Sequence, residues 1–175
     1  VPEPAVIPAD QGPCLVFLHG TGSSCRGSFG ALWAADNVTG RATREALHRR
    51  YGDRVYAWEH RSLTESPIAN ALALVRHLDP GVDLHLVSHS RGGLVGELLC
   101  LGERDGASDP LKPGLVDVLF AADRTVGEQL GLSPLDDAGA QSRDRAYAAD
   151  RQCLAELLAL LAERRPSVRR FVRAA

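Results

Sequence analysis

An α/β fold, with a three-layer parallel sheet carrying helices on both faces, is what this sequence predicts, and three observations carry the prediction. The first is an unbroken apolar run, Cys14 to Leu18, closed by His19-Gly20. A run without alternation suits a strand buried on both faces, as strands of parallel sheets are. The second is the alternation of strand-like and helix-like segments along the chain, which implies right-handed crossovers between parallel strands. The third is LHLVSHSRGGLVGELL, residues 84–99, where an apolar run stops at Ser90 and a second begins almost at once.

The bulk numbers bound the rest. A chain of 175 residues fits one compact domain, and 45% hydrophobic with 24% charged residues reads as soluble and globular. A net charge of -2 without a basic cluster argues against a nucleic-acid surface. Arg164, Arg165, Arg169, Arg170 and Arg173 are read as a helix end followed by a strand flank. Cys14, Cys25, Cys100 and Cys153 form no CxxC pair and have no histidine at ligand spacing, so no metal or cofactor is expected. Three of them lie in apolar runs, as buried free thiols do, which points to a reducing, cytoplasmic setting. No stretch of about 18 apolar residues is present, so no transmembrane segment is expected. A proline-rich start without a signal-peptide core, opening on Val rather than Met, reads as an excised or trimmed segment.

Element by element, residues 1–12 are an extended lead-in, because their prolines block helix and ladder bonding, and the domain proper is 13–175. The first strand is Cys14–Leu18. A short helix over 28–35 and a polar helix over 41–50 follow, then a second strand at 54–58. Ser66 caps the next helix, Pro67 suits its first turn, and Ile68, Leu72, Val75 and Leu78 recur at helical spacing until Pro80-Gly81 stops it. The third strand is 82–87, and a helix that tolerates glycines in its first turns follows Ser90. Residues 103–142, roughly 40 positions rich in proline breakers, are too many for a simple connection and form an insertion. Its apolar patch, 115–122, fits a helix by spacing, although VDVLF alone also fits a strand. A strong amphipathic helix over 143–164 carries Leu154, Leu157, Leu158 and Leu161 on one stripe, Pro166 stops it, and VRRFVRAA begins a fourth strand.

A strand that turns into a helix within one residue forces that residue into a strained conformation, and its neighbours two before and two after must be small. Here these are Ser88 and Gly92, with Gly93 giving further room. Strain of this kind lifts the Ser90 side chain to the carboxyl edge of the sheet, where parallel α/β proteins bind ligands, and aims the next helix's N-terminus at the same point. This small-x-Ser-x-Gly pattern resembles the nucleophile elbow of the α/β-hydrolases, with Ser88 where Gly is usual. FLHGTGSS after the first strand is similar to that family's oxyanion loop. More narrowly, HGTGSS…GSFGALW, SPIANALALV and HLVSHSRGGLVGELL resemble the lipase-like hydrolase module of bacterial multidomain proteins, some with caspase-like CHAT domains.

The resemblance spans about residues 13–101. It implies a partial hydrolase sheet of about four strands, the family's third to sixth, in the spatial order four, three, five, six. It implies Ser90 as nucleophile, backbone N–H donors from Thr21 or Gly22 together with Arg91, and His19, Gly20, Ser88, His89, Gly92 and Gly93 as the elbow and loop that support them. The substrate implied is a small ester or acyl compound, and the insertion corresponds to a lid. The family's base and acid follow the serine, yet all six histidines lie at or before position 89. The base and acid are therefore expected from a C-terminal remainder beyond Ala175. His60 is the substitute to consider, since it follows a strand two positions from the serine strand, about 10 Å away at about 4.8 Å per step. His89 should point away from Ser90, and His48, His77 and His85 are read as ordinary helix and strand residues. The competing reading is a non-catalytic binding or regulatory domain built on the same fold.

Overall fold

The computed structural model describes residues 6–102 and 137–174, leaving aside the side chains of 137–144. The order is β1 (Cys14–Leu18), α1 (Cys25–Trp33), α2 (Val38–Tyr51), β2 (Val55–Trp58), α3 (Pro67–Arg76), β3 (Asp83–His89), α4 (Gly92–Leu99), a 3-10 turn (Cys100–Gly102), α5 (Asp137–Arg164) and β4 (Ser167–Ala174). The four strands form one all-parallel sheet in the order β2-β1-β3-β4. β1 is central and buried at all five positions, which is why its sequence does not alternate.

Val16 and Leu18 of β1 and Leu84 and Leu86 of β3 face one layer, where Leu72 and Val75 of α3, Val95 and Leu99 of α4, and Leu154, Leu157 and Leu161 of α5 pack on them. Leu15 and Phe17 face the other layer, against Cys25 and Phe29 of α1 and Leu47 and Tyr51 of α2. Each fully buried aliphatic side chain contributes about 1.5–3 kcal/mol, so the larger cluster is the main store of stability. Among the described residues all four cysteines are free thiols, and no helix is long and apolar enough to cross a membrane.

Several boundaries differ from the sequence expectations, each for a local reason. α1 and α2 begin three residues earlier than expected, because Ser24 and Asn37 cap them: their side chains accept from the Gly27 and Gly40 amides. β3 runs on to His89, so the strand carries straight into the serine. α5 starts at Asp137, so the last residues of the expected insertion belong to that helix. The patch 115–122 and the rest of 103–136 lie outside the described residues. Within the lead-in, Ile7 is fully buried and bridges Leu78, its amide donating to His77 O at 2.7 Å. β3 is covered on both faces, so His85 is buried against α2 with its Nδ1 2.6 Å from the Tyr51 hydroxyl.

Candidate active site

β3 delivers Ser88 and His89 to the carboxyl edge of the sheet, and the chain then reverses within one residue. Ser90 has φ +49°, left-handed for a residue with a Cβ, and its side chain is exposed. Arg91 is already helical at φ -56°, ψ -27°, and α4 begins at Gly92. Both backbone groups of Ser90 are engaged, the N–H with Ala174 O at 3.0 Å and the carbonyl with the Gly93 amide at 2.9 Å. These bonds hold the bend against its strain. Small neighbours make it possible: a Cβ on Gly92 would lie 2.4 Å from the Leu18 carbonyl oxygen, and one on Gly20 would lie 3.1 Å from the Ser90 Cβ. Ser88 is entirely buried, and its hydroxyl has no partner among the described residues.

A left-handed residue with a side chain costs about 1–2 kcal/mol that glycine does not. After allowing for the greater freedom of glycine in the unfolded chain, Ser90→Gly is expected to raise stability by about 0.5–1 kcal/mol. Urea unfolding checks this, and a loss of stability would mean the bend is not strained.

Gly20 brings the His19–Gly22 turn against this bend. His19 is buried; its Nδ1–H donates to Gly20 O at 2.9 Å, and its Nε2 accepts the His60 amide at 3.1 Å. Glu59 lies beside it, with Oε2 3.4 Å from the same Nε2 and Oε1 accepting the Cys25 amide at 2.8 Å. The three backbone donors proposed from sequence are not equivalent. Gly22 gives its amide to Ser62 Oγ at 2.9 Å. The amides of Thr21 and Arg91 donate no hydrogen bond among the described residues.

No described side chain hydrogen-bonds to the Ser90 hydroxyl. His89 packs over Gly20, with Nδ1 3.5 Å from Ser28 Oγ. His60 stacks on His19, with ring centroids 3.9 Å apart and planes 18° from parallel. Burial, then the neighbouring His19, push its pKa down to about 4. Its Nδ1 is 3.4 Å from Trp58 O, and its Nε2 is buried without a partner among the described residues. Because β1 separates β2 from β3, His60 starts about 10 Å from the serine strand.

Glu59, Ser62, Ser28 and Cys25 take part in this edge and were not singled out in the sequence. Burial, then Glu59, push the Cys25 thiol up to about 12, which disfavours the thiolate. Among the described residues no group of three or more His, Cys, Asp or Glu is placed to hold a metal ion. A cleft of about 690 Å³ opens on the α1 side, lined by Phe17, Phe29, Trp33 and Ala57 with Glu59 at its margin; neither Ser90 nor Arg91 lines it.

Neither curated proteins nor solved structures give a match to this chain. Residues 2–131 match the family described as Domain of unknown function (DUF7379), and that span takes in β1, the His19–Gly22 turn and the whole Ser90 bend. With most of its length so matched, the chain belongs to the DUF7379 family.

Proposed function

We propose that this chain presents the nucleophile half of a serine-hydrolase site of the esterase or lipase type. Ser90 attacks an ester or thioester carbonyl, the Thr21 and Arg91 amides hold the oxyanion, and the alcohol or thiol leaves to give an acyl-Ser90 that water releases. Each well-placed donor lowers such a barrier by about 3 kcal/mol. The observation that carries the reading is the exposed, left-handed Ser90 between β3 and α4. The sheet order supports it: with β1 counted as the third strand of an α/β-hydrolase, β2-β1-β3-β4 is the order four, three, five, six.

Among the described residues no side chain serves Ser90 as a base, and none of the six histidines touches its hydroxyl. Ser90 should therefore react with strong electrophiles but turn over ordinary esters slowly unless a histidine is brought to it. A fluorophosphonate probe tests this. Labelling of the wild type that disappears in Ser90→Ala is the expected result, and labelling that persists in Ser90→Ala overturns it.

A second reading, a non-catalytic binding or regulatory domain, is favoured by one observation: His60, the substitute base, stands across β1 from the serine strand and is held in a stack on His19. Folded protein that takes up no probe would favour that reading.

A further inference from the structure

We propose that the Arg91 guanidinium anchors an anionic group, a carboxylate or phosphate, carried by the substrate of Ser90. The proposal rests on Ser90 as the nucleophile and adds the substrate class. Arg91 follows Ser90 directly, and its side chain is half-buried rather than fanned into solvent. Its Nη2 donates to Glu65 O, in the loop between β2 and α3, at 3.2 Å. That tether fixes the guanidinium over the same edge that displays Ser90. Nε is buried and has no partner among the described residues.

No carboxylate pairs with Arg91 among the described residues. The Glu65 carboxylate turns to Arg61 at 3.4 Å, and that of Glu59 to the Cys25 amide and His19. Arg61, Arg76, Arg169 and Arg173 are more exposed, yet each has an acidic partner. Arg44, Arg164 and Arg165 also bind carbonyls, at the ends of α1, α3 and α5, where the helix dipole supplies the negative pole, and Arg54 binds Pro13 O. Glu65 O lies before a helix N-terminus, so it supplies no such field.

A guanidinium stays charged at any physiological pH, and a partly desolvated cation without a counter-charge is unfavourable until an anion arrives. Its planar fork matches two oxygens of a carboxylate or phosphate. Positioned one residue from the nucleophile, the fork would select acyl compounds with an acidic group close to the scissile bond.

Two measurements test this. The first compares labelling by two fluorophosphonates of equal length, one with a neutral alkyl tail and one ending in a carboxylate. The acidic probe should react faster by about tenfold or more, the preference should vanish in Arg91→Gln, and Arg91→Lys should retain part of it. The second titrates inorganic phosphate and monomethyl succinate into Ser90→Ala by calorimetry, with and without Arg91→Gln. Binding that Arg91→Gln weakens about tenfold supports the anchor, and the better ligand identifies the source of the anion. Equal labelling by the two probes, or a preference that survives Arg91→Gln, overturns the anchor while leaving Ser90 as nucleophile. No labelling, with Arg91-dependent binding, overturns Ser90 as nucleophile while the anchor stands. Neither labelling nor binding overturns both.

Discussion

Gly92→Ala is expected to destabilise the protein by about 3 kcal/mol, the upper end of the usual cost of overpacking, and to disturb the serine bend with it. The added Cβ would sit 2.4 Å from Leu18 O and 2.6 Å from His19 O. Both are backbone atoms at the end of the central strand, so neither can rotate away, and α4 has to retreat instead. That movement carries Arg91 and Ser90, which immediately precede the helix. In a chain of this size about 3 kcal/mol lowers Tm by roughly 6–12 °C. Gly93→Ala is the control. Its Cβ would meet the Arg173 guanidinium at 2.8 Å, the far end of a flexible and exposed side chain. Helix propensity favours that exchange by up to about 1 kcal/mol, so a near-neutral result is expected. Equal Tm values for the two variants would mean that α4 does not press on β1 as described.

Acid is expected to weaken the fold through His60. Its pKa is about 4 in the folded protein against an ordinary 6.5, chiefly because burial disfavours the charged ring. Above pH 6.5 the ring is neutral folded or unfolded, and the full stability is present. Below that, the unfolded chain takes up the proton while the folded chain resists it, so stability falls until pH reaches about 4. The interval corresponds to about 3 kcal/mol at most. His60→Phe keeps a ring against His19 and removes the proton. Between about pH 7 and 4.5 it should therefore lose less stability than the wild type, by roughly 2–3 kcal/mol. Urea unfolding at the two pH values reads the difference. Parallel losses would mean that His60 is not buried as described.

The strands and the serine bend were legible because their causes are local. Cys14–Leu18 reads as a doubly buried strand from its own five residues, and Ser88, Ser90 and Gly92 carry the spacing of a one-residue reversal. Helix starts were legible only in part. Ser66 stands before Pro67 and an apolar period, whereas Ser24 and Asn37 sit in polar stretches where no pattern marks them as caps. Contacts between distant segments were not legible. Ser62 claims the Gly22 amide from 40 positions away, whereas the Thr21 amide has no acceptor among the described residues. Tyr51 fixes the direction of His85, and Ile7 docks on Leu78 despite the prolines around it. Arg91 follows the same rule: that it has no counter-charge among the described residues is visible only once Glu59 and Glu65 are seen to face other partners.

We propose Ser90 as a nucleophile held on a strained bend. The most direct measurement is mass-spectrometric localisation of a phosphonyl adduct after brief exposure of the native protein to a fluorophosphonate. One adduct per chain, confined to Ser90 and abolished by prior unfolding in urea, is the expected result. Adducts scattered over other serines and tyrosines, or formed equally by the unfolded chain, would contradict it.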